Sequence, residues 1–265
     1  MDTVEITLEN SGKVVDQLRP IDDTFMQKLG EDREFCEEML RVILNNSNLR
    51  VISNTTQKSI HNIDTRSVTV DIKCKDEDGT VFSVEVQKAN GDDHQKRVRY
   101  NGSCVQIQLL GKRADFKKLP DVCMIYITES DFLQRGRVIY HIDRTIRETN
   151  EIISNGYSEI YVNAQIDDGS ELAEYMNILK SSSVCKSSKF PVICDLTDYY
   201  KNGEGREIMC QAVMDYAKKF SDKERKEQAI ETAVALIYDD IADDVIVRAS
   251  KLTPEEISEL RTKLL

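Results

Sequence analysis

Residues 66–88 read RSVTVDIKCKDEDGTVFSVEVQK, two alternating runs on either side of DEDG. Val70, Ile72 and Cys74 share one parity of the first run; Phe82, Val84 and Val86 share one parity of the second. Side chains alternate faces along a strand, so each run carries one apolar and one polar face. The pattern predicts a β-hairpin. The two apolar sets fall together only if paired residue numbers sum to an even value. A three-residue loop, Glu77-Asp78-Gly79, meets that condition, with Gly79 free to take positive φ. Ile72 then faces Val84, Val70 faces Val86, and Asp71 faces Glu85 on the polar side, with Gln87 two residues along. A two-residue Asp78-Gly79 loop would set Asp71 against Val86 and mix the faces.

Two carboxylates placed opposite each other repel. A divalent cation relieves that repulsion, and hard oxygen ligands suit Mg²⁺ or Mn²⁺. A solvated polar face with two acids accounts for the same local pattern, since carboxylates are mostly surface groups.

Asp71, the hairpin and then Glu85-Val86-Gln87 resemble the D…(D/E)xK signature of the PD-(D/E)XK nuclease superfamily. The closer resemblance is to Rpn-type recombination-promoting nucleases and transposases, in which glutamine commonly stands for the lysine. It continues through HQKRVRYNGS (94–103), LLGKRADFKKLPDVCMIYIT (109–128) and DFLQRGRVIYHI (131–142). IDDTFMQKLG (21–30) fits too, although Phe25-Met26 stands where the family has Phe-Lys. The resemblance covers residues 20–165 well and the rest loosely.

It implies an α/β fold: a PD-(D/E)XK αβββαβ core, a mixed central sheet flanked by helices, with a helical C-terminal region. It also implies Mg²⁺-dependent (or Mn²⁺-dependent) DNA endonuclease activity. Asp71 and Glu85 are the implied metal ligands, joined by the Val86 carbonyl, and Gln87 stands in the catalytic lysine's place. Gln87 hydrogen-bonds but cannot act as a base. Lys88 lies on the opposite strand face and would enter the site only through a bulge. A nuclease fold that binds or assembles without cutting is the alternative, supported by Gln87 and the net acidity. A strand-transferring transposase would further require DNA joining.

The chain of 265 residues is long enough for one domain or two, and its 40% hydrophobic and 31% charged content suits a globular protein. No apolar run reaches the length of a membrane span, and the N-terminus lacks a signal-peptide pattern, so a cytoplasmic protein without membrane contact is expected. The seven cysteines are scattered and read as reduced core thiols. The net charge of −11 opposes nucleic-acid binding globally. Between His94 and Lys118, however, seven basic residues (Lys96, Arg97, Arg99, Lys112, Arg113, Lys117, Lys118) stand against one acid, Asp115. Such a patch acts at short range. Lys96, Arg97, Arg99 and Tyr100 are the candidate DNA contacts, Arg97 and Tyr100 sharing a helix face.

Residues 1–20 read as a loose lead-in, 21–180 as the nuclease-like domain, SSSVCKSS (181–188) as a connector and 189–265 as the helical region. Helices are expected near 23–29 and 33–46, with Asp22 or Asp23 capping the first and Glu37 and Glu38 solvated. Strands are expected at 49–60, 122–128, 137–143 and 159–164, with His141 a strand histidine. A helix is expected from about Asp92 to Gly111, and His94, just past the metal motif, is read as a loop histidine that could also contact substrate. Further helices are expected at 170–182 and 205–238. LTPEEISEL (252–260) carries a capping box, Thr253 with Glu256, around Pro254. Asp239, Asp240, Asp243 and Asp244 disfavour DNA contact by the tail, which instead suits homodimerisation or regulation.

Overall fold

The computed structural model describes residues 8–60, 68–88, 94–111 and 113–264. The expectations for residues 1–7, 66–67, 92–93 and Lys112 lie outside them. In chain order the elements are α1 (Leu8–Gln17), α2 (Asp23–Gly30), α3 (Arg33–Leu44), β1 (Val51–Ile60), β2 (Val68–Asp76), β3 (Val81–Gln87) and α4 (His94–Leu109). A 3₁₀ turn (Phe116–Lys118) leads to β4 (Val122–Thr128), β5 (Ile139–Ile142), β6 (Arg144–Ile146), β7 (Glu151–Ile153) and β8 (Tyr157–Asn163). Then come α5 (Glu171–Lys180), α6 (Pro191–Lys201), α7 (Arg206–Tyr238), α8 (Asp243–Ser250) and α9 (Pro254–Leu264). The backbone divides into two compact units, Gly12–Met209 and a smaller one built on Cys210–Leu265.

The larger unit holds a six-stranded mixed sheet in the order β1-β2-β3-β4-β8-β5. β1, β2 and β3 form the antiparallel meander; β4 joins β3 in parallel through α4, and β8 joins β4 in parallel. Helix, three strands, helix, strand is the expected αβββαβ order. The hairpin register is Ile72↔Val84 to Lys75↔Val81, with Gly79 at φ 89° in a loop closed by Asp76 N–H to Thr80 O at 3.1 Å. The three-residue loop is therefore present. The ladder ends at Ile72↔Val84 and does not extend to the expected Val70–Val86 pair. VCMIYIT is buried at every position, as a central strand flanked by two others must be. Val98, Cys104 and Val105 of α4 share a core cluster with Met124, Tyr126 and Tyr161.

Several expectations are corrected. Part of the lead-in is helical, α1, because Val15 is fully buried and anchors it. Asp22 does occupy the cap position of α2, but its side chain makes no cap hydrogen bond and turns to Arg19 instead. Glu38 is not solvated: it accepts the Val192 and Ile193 N–H groups, both at 3.0 Å, at the start of α6. Glu37 accepts Val51 N–H at 2.9 Å and pairs with Arg41 and Arg50. His94 is not on a loop but opens α4, buried. Cys185 and Cys194 form a disulfide, because the polar connector folds back onto the first turn of α6 and brings their Cα atoms to 5.2 Å. Cys36, Cys74, Cys104 and Cys123 are buried and reduced, outside any disulfide, as expected.

In the smaller unit the capping box closes in both directions: Thr253 N–H to Glu256 at 3.0 Å, and Glu256 N–H to Thr253 at 3.2 Å. Ala233, Ile237, Ile246, Leu252 and Ile257 form that unit's core.

Gly30 is where α2 meets the sheet. A Cβ there would lie 2.6 Å from Ile72 Cγ1 and 2.9 Å from Thr56 Cγ2. Gly30→Ala is expected to cost about 1–3 kcal/mol by overpacking. Gly111→Ala, with nothing within 4 Å of its added methyl, is expected to change stability by about 0.5 kcal/mol or less. Urea unfolding of the two variants against wild type checks the pair.

Candidate active site

The hairpin ladder opens where the acids begin. Beyond Ile72↔Val84 the next facing pair in this register is Asp71 and Glu85. The N–H of Val86 donates to Asp71 Oδ2 at 2.8 Å. A side chain thus takes a strand donor, satisfying it without a backbone partner. The same stretch of β3 stays fixed from its other edge, where Glu85, Val86 and Gln87 pair with Tyr126, Ile127 and Thr128 of β4.

Glu85 is buried, 7% exposed. Its carboxylate is held by Asn101, whose Nδ2 donates to Oε1 at 2.7 Å and Oε2 at 2.8 Å. Burial, partly offset by Asn101 and reinforced by the Asp71 charge, pushes the Glu85 carboxyl up to about 7. Burial also pushes Asp71 up to about 6, opposed by the Val86 N–H and raised further by Asp23. Glu85 is buried and Asp71 half-buried, and each is left with few compensating donors. They are the hard-oxygen donors available to a cation here. No cluster of three or more His, Cys, Asp or Glu residues with metal-binding geometry exists among the described residues.

Cations surround the pair. Arg97 Nη1 donates to Gln87 Oε1 at 2.7 Å, and its charge opposes the rise at Glu85. Lys88 lies just past the end of β3, so no bulge is needed to turn it: its Nζ reaches Asp23 at 3.1 Å and Asp22 at 3.3 Å, and its charge opposes the rise at Asp71. Arg19 bridges Asp22 at 2.9 Å and Glu129 at 2.5 Å. The first helices therefore supply Asp22 and Asp23, not Glu37 or Glu38, to the neighbourhood of Asp71.

Of the other candidates, Lys96 and Arg99 are exposed on α4, whereas Tyr100 is half-buried and packs against the core cluster. His94 bonds the Tyr126 hydroxyl at 2.9 Å and packs on Phe132. Asn101 and the Lys88–Asp22–Asp23 cluster escaped sequence reasoning. Asn101 left a signal: with His94, Val98 and Val105 it marks the buried stripe of α4, where an amide needs a polar partner.

Against known proteins, the family model described as "PD-(D/E)XK nuclease family transposase" matches residues 30–184. No curated protein and no solved structure matches the chain. The matched span contains Asp71, Glu85, Gln87, Arg97 and Asn101, and it covers more than half of the sequence. With the mixed sheet and the opened hairpin, this places the chain in the PD-(D/E)XK nuclease family transposases.

Proposed function

We propose that the chain is a divalent-cation-dependent endonuclease that hydrolyses DNA phosphodiester bonds, of the recombination-promoting kind. One observation carries the proposal: Asp71 and Glu85 face each other at the open end of β2 and β3, with burial raising both carboxyls. Asp71, Glu85 and the Val86 carbonyl would hold Mg²⁺ or Mn²⁺. Bound there, such an ion activates water and neutralises charge on a scissile phosphate.

The protein's own groups prepare that site. Asn101 locks the Glu85 carboxylate, and the Val86 N–H fixes one oxygen of Asp71. Gln87 cannot accept a proton at neutral pH; it orients Arg97, whose planar fork suits phosphate oxygens. Lys96 and Arg99 extend positive charge along the exposed side of α4 for backbone contact. DNA is the substrate in this reading, and the C-terminal helices serve self-association. The five reduced cysteines suit a cytoplasmic location, whereas the Cys185–Cys194 disulfide weighs against it. No helix among the described residues is long and apolar enough to cross a membrane.

Asp71→Asn should reduce Mn²⁺-dependent plasmid nicking to background while leaving the circular dichroism spectrum unchanged; nicking at the wild-type rate would remove Asp71 from the site. Asn101→Ala should weaken Mn²⁺ binding, read by calorimetry, by about 10–100-fold, the usual effect of losing a group that orients a metal ligand.

The raised carboxyls also set a pH dependence. Both groups titrate near 4 when unfolded, and at about 6 and about 7 when folded. Their contribution to stability is complete below pH ~4 and is lost as pH rises through 6 to 7. In chelator, wild type should lose more stability than Asp71→Asn between pH 5 and 8, by on the order of 2 kcal/mol. Calorimetric melting curves with equal pH slopes for the two proteins would contradict the burial argument.

A further inference from the structure

We infer that the turn following α4 is a base-stacking contact for a nucleic-acid strand, with Phe116 as the stacking ring and Arg113, Lys117 and Lys118 as its phosphate clamp. The inference rests on the nuclease reading only for the location of the cut end. Phe116 is 81% exposed, the most exposed large apolar side chain among the described residues. It is not carried on a loose strand of chain. Ala114 N–H bonds Gly111 O at 3.0 Å, Lys118 N–H bonds Asp115 O at 3.0 Å, and Leu119 N–H bonds Phe116 O at 3.0 Å. The Asp115 carboxylate accepts Lys117 N–H at 3.0 Å, so the one acid of the turn is engaged by its backbone. The turn is built, and it holds the ring outward.

Charge chooses the occupant. Arg113, Lys117 and Lys118 are exposed, and none forms an ion pair among the described residues. Elsewhere in this chain of net charge −11, many cations are neutralised by a carboxylate, as Arg19, Arg50, Lys88 and Arg206 are. An exposed aromatic ring beside cations that have no carboxylate partner among the described residues matches the stacking and backbone contacts that single strands use. An apolar protein surface would leave the cations without partners.

The spacing is also suitable. Asn101, which holds Glu85, lies eight residues before the end of α4, about 12 Å along its axis, and the turn follows that end. At 3.4 Å per stacked nucleotide this is on the order of four nucleotides from the acid pair to the helix end. The turn would then engage a strand whose bases are accessible, and intact duplex would use the cations alone.

The chain has no tryptophan, so Phe116→Trp gives a fluorophore at this one place. Titration with a twelve-residue oligothymidylate in chelator should quench its emission to saturation. Phe116→Ala should weaken that oligonucleotide's binding, read by anisotropy, by roughly tenfold while changing duplex affinity less than twofold. Lys117→Ala with Lys118→Ala should flatten the slope of log K against log salt by roughly 1.4. Oligonucleotide binding with unchanged emission, or Phe116→Ala binding as tightly as wild type, would overturn the inference. So would an emission change that follows protein concentration alone, which would mark a protein interface. Quenching without any plasmid nicking would sink the nuclease reading and leave this contact standing; nicking without quenching would do the reverse.

Discussion

Holding two carboxylates, Glu85 buried and Asp71 half-buried, opposite each other at the end of a hairpin is the constraint around which the larger unit is arranged. An isolated buried carboxylate costs several kcal/mol, and a second one nearby raises that cost. Asp71 and Glu85 tolerate it because β3 is held from both sides, by β2 up to Ile72↔Val84 and by β4 through Gln87↔Thr128. The strand cannot move away to relieve the repulsion. Compensation comes from two donors, the Val86 N–H and the Asn101 amide. Asn101 reaches Glu85 only if α4 lies close on the sheet. Gly102 permits this: a Cβ there would sit 2.3 Å from the Tyr157 hydroxyl, which itself bonds Glu159. His94 with Tyr126 holds the start of the helix in the same way.

The electrostatics around the pair run in alternating shells. Next to the acids come Arg97 and Lys88, and beyond Lys88 come Asp22 and Asp23, with Asp22 shared by Arg19. The outer acids hold Lys88 by ion pairs at 3.3 and 3.1 Å. Desolvation still wins at the centre, since both carboxyls remain raised with cations nearby. A net charge of −11 is therefore a poor guide to this neighbourhood. Charges beyond about 10 Å are screened at ordinary ionic strength, and what an approaching phosphate feels is set locally.

What was legible in the sequence was whatever depends on neighbours in the chain. Alternation and one glycine were enough for the register of Asp71 and Glu85, and Gly79 does sit at positive φ. Thr253 and Glu256 announce their mutual capping within four residues. The apolar run of β4 states its own burial. What was not legible depends on partners far along the chain. Glu38 looks like any helix-surface acid until α6 arrives, 154 residues later, to use it as a cap. Cys185 sits among serines, with nothing local to pair it with Cys194. Strand parity puts Lys88 on the opposite face, but the strand ends at Gln87 and parity no longer applies.

The pairing of Gln87 with Arg97 bears on how a glutamine can occupy a lysine's position. A lysine on the strand would bring its charge on a flexible stem, as a point. Here the strand contributes only a carbonyl oxygen, and the charge comes from a helix, its direction fixed by a 2.7 Å bond. A guanidinium carries N–H donors and no acceptor, so it cannot take a proton from water. In the reading proposed above, Arg97 and Gln87 thus contribute position and field, not base catalysis. Because the charge travels with α4, so does Asn101, one turn further along the same face. One rigid element therefore sets both the orientation of Glu85 and the placement of the cation beside it, and a shift of that helix would disturb the two together.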